Sequence, residues 1–387
     1  MTAPTSHTPG AAALLTQDEL MVQAAVRQFA AEVIAPRSAD MDARAEMPSE
    51  VVDGLFGLGL MGMTIPESFG GVGWGFAAAL VAVEELSRVD PSVALVVDVQ
   101  NTLVVNALLR WGTPGQQQRW LPDLATRRCG AYALSEAASG SDAFALQTRA
   151  RAVDDGYRLS GRKLWITNAR EAGLFIVFAT VDPALGHRGI TGFIVPREAA
   201  GLSVGRKEDK LGIRASSTCE VVLDDCFVPH DQVLGPVGRG YKVAMETLNE
   251  GRIGIGAQMV GLADGALAHA VAHARARHQF GQPLAAFQAV QFQLARAATD
   301  IHVARLAVYH AARLREAGQP FLTEAAMCKL VASETAERVA SMAVNLLGAA
   351  GYVRPSPVER LYRDAKIGQI YEGTSNLQLM TIARQMF

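Results

Sequence analysis

Cysteine is scarce in this chain of 387 residues, and the little there is carries no pattern. Cys129, Cys219, Cys226 and Cys328 are scattered, with no Cys-x-x-Cys pair and no zinc-like spacing. That argues against a disulfide scaffold and a thiolate metal site, and reads as reduced thiols in a cytoplasmic protein. Charge is thin as well: 19% of residues are charged, and 36 Lys and Arg against 38 Asp and Glu leave a net −2. No basic field for nucleic acid is present. No basic segment precedes the short Ala-Leu run of residues 1–15, which reads as a loose tail and not a secretory signal. The most apolar stretch, 93–109, is interrupted by Asp98, Gln100 and Asn101, so a buried helix is expected there and no membrane span. His269 and His273 stand one helical turn apart without an intervening glutamate or a third ligand, so no metal is expected. No internal repeat or low-complexity segment stands out.

Half of the residues are hydrophobic, and the length suits two or three subdomains. Thr16-Gln17-Asp18-Glu19 is a capping-box pattern opening a helix that Pro36 ends. Further helical patterns cover 49–58, 76–88, 91–111 and 114–124. The glycine-rich stretch 65–75 has no strand before it, which removes the context of a dinucleotide-binding loop. From about residue 127 the runs become short and strand-like: 132–135, 148–153, 157–166, 175–180, 192–195, 202–205 and 220–228. Asp155-Gly156 is the expected hairpin turn between two of them. Long helical periodicity returns over 241–277, 287–317, 323–348 and 357–370. The expected fold is α+β and mostly α: an N-terminal helical domain (16–126), a small middle β-barrel or sandwich (127–235) and a C-terminal four-helix bundle (236–387).

The chain is organised around the link between its last two helical runs, Ile370-Tyr371-Glu372-Gly373-Thr374-Ser375. Gly373 permits a sharp turn that would aim Glu372 inward, and Thr374 or Ser375 can cap the following helix. An ordinary solvated connection is the plainer reading. Two middle-domain stretches also stand out. Tyr132-Ala133-Leu134-Ser135-Glu136 runs into the hydroxyl-rich loop Ser139-Gly140-Ser141-Asp142, either a polar turn or a cradle for a polar ligand. Lys163-Leu164-Trp165-Ile166-Thr167 ends in a tryptophan that is either core or a surface for a flat ring.

Leu134-Ser135-Glu136 with Gly140-Ser141-Asp142, Trp165-Ile166-Thr167-Asn168, Arg277-His278-Gln279-Phe280-Gly281 with Gln288, and Tyr371-Glu372-Gly373-Thr374 follow in that order. Their spacing resembles the acyl-CoA dehydrogenase family. Lys210-Leu211-Gly212-Ile213-Arg214 and Gly251-Arg252-Ile253-Gly254-Ile255 look most like its short-chain, butyryl-CoA branch.

The resemblance implies an FAD enzyme of fatty acid metabolism with this α–β–α layout, forming a homotetramer or a dimer. It implies flavin contacts at Tyr132, Leu134, Ser135, Trp165, Ile166, Thr167, Thr374 and Asn376, and pyrophosphate and adenine contacts at Arg277, Phe280 and Gln288. A Gln-x-x-Gly-Gly stretch of a neighbouring subunit also touches FAD in the family. Its counterpart here runs from Asn345 through Gly348 to Ala349 and departs at two positions. Ser141, Asn249, Arg252 and Gly373 fall at substrate-binding positions. Glu372 is the implied base for an α-proton, with the β-hydrogen leaving as hydride to flavin and electrons passing on to an electron-transfer flavoprotein. Relatives that carry the base on an earlier helix do so at the position of Gly251; Glu250 is one residue off. The loop Glu136-Ala137-Ala138-Ser139-Gly140 lacks the family's proline and one glycine, which keeps open a second substrate, an acyl group on a carrier protein. A flavin oxidase using O₂ and a non-catalytic scaffold of the same fold are the remaining alternatives.

Overall fold

The structure, a computed structural model, describes residues 14–387; the tail expected over 1–15 lies, but for its last two residues, outside them. The first block is helical: α1 (Gln17–Phe29), α2 (Ser38–Arg44), α3 (Ser49–Gly57), α4 (Phe76–Ser87), α5 (Pro91–Asp98), α6 (Asn106–Trp111) and α7 (Pro114–Thr126). The capping box at α1 is formed: Glu19 N donates to Thr16 Oγ1 at 3.3 Å, and Thr16 N donates to Glu19 Oε2 at 2.8 Å. A wider π-helical stretch, Val99–Val105, joins α5 to α6, so 91–111 is one rod with a slackened middle. The polar residues that interrupt the apolar run serve neighbouring backbone. Gln100 accepts from Gly130 N at 2.7 Å and donates to Leu124 O, while Asn101 donates to Leu60 O and accepts from Met63 N. Buried backbone groups that lack a regular ladder are satisfied this way.

The middle block comprises β1 (Cys129–Ala133), β2 (Arg149–Val153), β3 (Gly156–Thr167), β4 (Ala172–Thr180), β5 (Ile190–Pro196), β6 (Leu202–Lys207), β7 (Thr218–Pro229) and β8 (Val233–Leu234). The strand order is β6-β7-β3-β2-β4-β5-β8, with β1 parallel to β4. Its two halves meet at the single pair Arg149 and Thr180 and enclose their own core around Phe175, Val177, Phe193, Val221 and Leu223. The expected hairpin shifts by one residue. Val153 pairs with Gly156, so the turn is Asp154-Asp155. Gly156 is a strand residue whose Cβ would lie 2.2 Å from Val228 O, so close backbone approach is what requires glycine there.

The last block holds α8 (Gly240–Ala276), a hairpin of β9 (His278–Gln279) and β10 (Gln282–Pro283), α9 (Gln288–Glu316), α10 (Leu322–Leu347), α11 (Ala349–Tyr352), α12 (Pro357–Ala365) and α13 (Ser375–Arg384). Helices α8, α9 and α10 pack on one another, and α12 and α13 close against α10. One apolar core runs through both helical blocks because α8 also packs on α4. Across that seam Arg305 bonds Glu84 at 2.8 Å, and Tyr309 donates to the same carboxylate at 3.1 Å. The rod 91–111 and α8 are each long and apolar enough to cross a membrane, yet 94% and 78% of their apolar windows lie inside the protein.

Candidate active site

The link after α12 folds as an abrupt turn. Glu372 has φ +52° and Gly373 φ +90°, two successive left-handed residues, the first of a type that rarely adopts that region. Thr374 then caps α13, its Oγ1 accepting from Leu377 N at 3.3 Å. Gly373 O is held twice, by Lys329 Nζ from α10 at 2.5 Å and by Gln378 Nε2 from α13 at 2.9 Å.

The turn lays Glu372 on α8, where glycine makes the room. A Cβ at Gly251 would stand 3.1 Å from Glu372 Oε2 and 2.9 Å from Leu103 Cδ2. One turn on, a Cβ at Gly254 would stand 1.9 Å from Asp98 Oδ1. One further turn on, Gln258 Oε1 accepts from the Tyr371 hydroxyl. Residues so spaced share a helix face, so Glu372, Asp98 and Tyr371 line up along α8. Glu250 points elsewhere and is paired with Arg110 and Arg315.

Several polar atoms gathered here are buried without a hydrogen-bond partner: Glu372 Oε2, Asp98 Oδ1, Tyr132 Oη, Asn249 Oδ1, and Nε and Nη1 of Arg252. Glu372 as a residue is part-buried, but that oxygen is sealed. Burial pushes the Glu372 carboxyl up from 4.5 to about 7, against the pull of the Lys329 and Arg252 charges. Burial brings Lys329 down to about 8, opposed by Glu372. Asp98, 1% exposed, is held well above the usual carboxylate range by burial, with the Glu372 charge adding to the effect. The site therefore offers one poised carboxyl under the pull of two cations, with a second buried carboxyl, Asp98, beside it.

Of the residues expected on the flavin side, the structure brings together those at the end of β1 and in β3, while Thr374 and Asn376 lie at the start of α13. Leu164 N donates to Ser135 O at 3.0 Å, tying the end of β1 to β3. Glu136 anchors the loop from inside: Lys163 Nζ, Thr148 Oγ1 and Gln147 N all donate to it. A bulge between Lys163 and Ile166 throws Trp165 outward at φ +57°, 53% exposed. Tyr132 and Leu134 are buried, Ser135 and Thr167 half-buried, and Ser141 and Asn376 exposed. Ile166 is turned into the sheet core, so only its backbone is available to a ligand.

The adenine-side residues are not brought to Glu372 within one chain. Arg277 caps the far end of α8, about 26 residues beyond Gly251, which at ~1.5 Å per residue is about 39 Å. Phe280 stands 93% exposed at φ +52° in the following hairpin, with Gln288 exposed nearby. Asn345, Gly348 and Ala349 are exposed at the end of α10.

Sequence reasoning missed Lys329, Asp98 and Gly254 as members of the site. A signal existed for two of them. Asp98 breaks the most apolar run of the chain. Lys329 falls in the buried stripe Ala325, Ala326, Ala332, Ser333, Ala336 of α10, where a charge is out of place.

Three family models match the chain: acyl-CoA dehydrogenase N-terminal domain over residues 16–128, middle domain over 131–226 and C-terminal domain over 238–387. A probable short/branched chain specific acyl-CoA dehydrogenase of Dictyostelium discoideum is 50% identical over 373 residues, 96% of this chain and 90% of the relative. Among solved structures, butyryl-CoA dehydrogenase from Megasphaera elsdenii superposes with a TM-score of 0.95 at 40% identity, covering 96% of this chain and 98% of that one. The prolyl acyl carrier protein oxidase AnaB superposes at 0.92 with 29% identity, covering 96% and 99%.

Proposed function

The chain belongs to the acyl-CoA dehydrogenase family, and on that premise we propose that it desaturates a short straight or branched acyl thioester between Cα and Cβ. Glu372 takes the α-proton, and FAD is the cofactor. The observation that carries this reading is the Glu372 carboxyl, sealed and unpartnered on a turn of two left-handed residues and poised near 7. A proton beside a thioester carbonyl is weakly acidic, so its base must be ionised at working pH and still basic enough to accept. Burial makes Glu372 a stronger base than an exposed carboxylate, while Lys329 and Arg252 keep it ionisable. Gly251 leaves the carboxylate room where a side chain would fill it.

The residues present fit a flavin. Trp165 is thrown outward beside Ser135 and Thr167, and the buried Tyr132 hydroxyl lies near enough to Glu372 to feel its charge. When bound, FAD supplies the two-electron acceptor that receives the β-hydrogen. A separation of about 39 Å along α8 exceeds what one dinucleotide bridges, so Arg277, Phe280 and Gln288 serve the flavin of a neighbouring copy in a homo-oligomer, a tetramer by resemblance. Electrons then leave to an electron-transfer flavoprotein.

A carrier-borne acyl group is the second reading. It is favoured by the exposed, proline-free residues Ala137, Ala138, Gly140 and Ser141 and by the likeness to a prolyl acyl carrier protein oxidase. The visible spectrum, recorded without oxygen before and after butyryl-CoA, tests both. The expected result is a yellow protein that bleaches, with a Glu372→Gln variant that stays yellow. A yellow protein that ignores butyryl-CoA but bleaches with a butyryl carrier protein favours the second reading. A colourless protein that FAD cannot restore removes the enzyme reading.

A further inference from the structure

We propose that Lys329 is the positioning residue of the base: from α10 its ammonium clamps the Glu372–Gly373 turn and sets the charge state of the Glu372 carboxyl. The inference rests on the reading of Glu372 as the base.

Lys329 sits in a stripe of alanines and a serine and is itself fully buried. An ammonium placed there loses its hydration, and an apolar residue would suit the stripe better unless the charge is used. Its Nζ donates to Gly373 O at 2.5 Å, the carbonyl of the second of two left-handed residues. Holding that peptide fixes the direction in which Glu372 leaves the turn, and a strained turn persists only where its surroundings over-determine it. Gln378 is the neutral second hold on the same carbonyl, from another helix.

The charge has a second effect. Of the two cations that pull on Glu372, Lys329 acts more strongly than Arg252. Arg252, facing from α8, leaves Nε and Nη1 without a hydrogen bond. The other titratable groups facing the site carry no positive charge. From α5, burial pushes the Asp98 carboxyl well above the usual carboxylate range. From β1, the Tyr132 hydroxyl is pushed well up, as is Tyr371 on the turn itself. Beside Lys329, the Cys328 thiol is pushed up to about 12. Without Lys329, burial would drive the Glu372 carboxyl further toward its neutral form, and the base would be protonated at neutral pH.

Two variants separate the roles: Lys329→Gln keeps a donor for Gly373 O without the charge, and Lys329→Met removes both. The Glu372 titration is read in the purified holoenzyme from its carboxylic acid infrared band, identified by its loss in Glu372→Gln, beside the pH dependence of kcat/KM for butyryl-CoA. The expected result is an upward shift of the Glu372 titration by about a unit in both variants. With the parent carboxyl near 7, that is a ~5-fold loss of kcat/KM at pH 7, approaching ~10-fold at lower pH and recovered at higher pH. Lys329→Gln should recover fully and Lys329→Met only in part. An unmoved titration in the folded Gln variant overturns the proposal, whether or not the Met variant folds. A Glu372→Gln variant that keeps full activity overturns the base assignment instead, and the infrared titration still decides what Lys329 does.

Discussion

At the scale of single residues, the site is a balance between desolvation and two buried cations acting on one carboxyl. Glu372 rises from 4.5 to about 7 because burial outweighs Lys329 and Arg252. Between those two values the folded state binds more protons than the unfolded chain. The stability that the neutral group provides is therefore fully present below about 4.5 and lost as pH rises through about 7. A shift of this size corresponds to about 3 kcal/mol. Glu372→Gln should accordingly match the parent protein in acid and exceed it by up to about 3 kcal/mol at pH 8, measured by urea unfolding at both pH values. On the proposed role of Glu372 activity runs the other way, since a base needs the ionised form that destabilises the fold. A strained turn with a destabilised carboxyl is the expected trade at a working site.

At the scale of elements, the slackened rod 91–111 does more than fill the core. Its π-helical middle turns Gln100 and Asn101 toward neighbouring backbone, and the Gln100 amide ties the end of α7 and the start of β1 to the helix. Removing that side chain strands buried donors and acceptors at about 1–3 kcal/mol each, net of what water can recover. Gln100→Ala should therefore destabilise the fold by roughly 2–4 kcal/mol and weaken flavin retention, because β1 carries Tyr132 and leads directly into Leu134. Chemical denaturation and the flavin-to-protein absorbance ratio check the two effects. The same reasoning accounts for β3. Its bulge would be unsupported if the buried pair of Lys163 and Glu136, 2.6 Å apart, did not hold the strand against the loop that follows β1.

At the scale of the whole molecule, α8 is the frame. It packs on α4, on the π-helical middle of the rod 91–111 and on α9 and α10, and its length sets apart the two groups of residues proposed to hold the cofactor. Glu372 reads against its middle and Arg277 caps its far end. Phe280, almost wholly exposed on a left-handed backbone, is a poor residue to leave in water and a good one to press against another copy. Phe280→Arg should reduce both the proposed oligomer, sought by size-exclusion chromatography with light scattering, and the bound flavin, while the Glu372 infrared titration stays in place. A variant that loses flavin and remains fully assembled would place Phe280 on the cofactor alone.

What the sequence determined by itself is what depends on near neighbours in the chain. The Thr16 capping box, the strand runs of the middle block, the sharp turn at Gly373 and the cap at Thr374 are local, because each rests on hydrogen bonds or backbone preferences spanning a few residues. The resemblance, carried by short strings, reached Glu372 by the same route. The hairpin before Gly156 was misread by one residue because the reason for that glycine, the carbonyl of Val228, lies on another strand. Tertiary structure alone decided that Lys329, Asp98, Gly251 and Gly254 converge on the Glu372 turn. They come from α10, α5 and α8, and only packing brings those helices within reach of one turn. It also decided that Arg277 belongs to a different end of the molecule than Glu372, since a straight helix converts sequence separation into distance that no side chain can span.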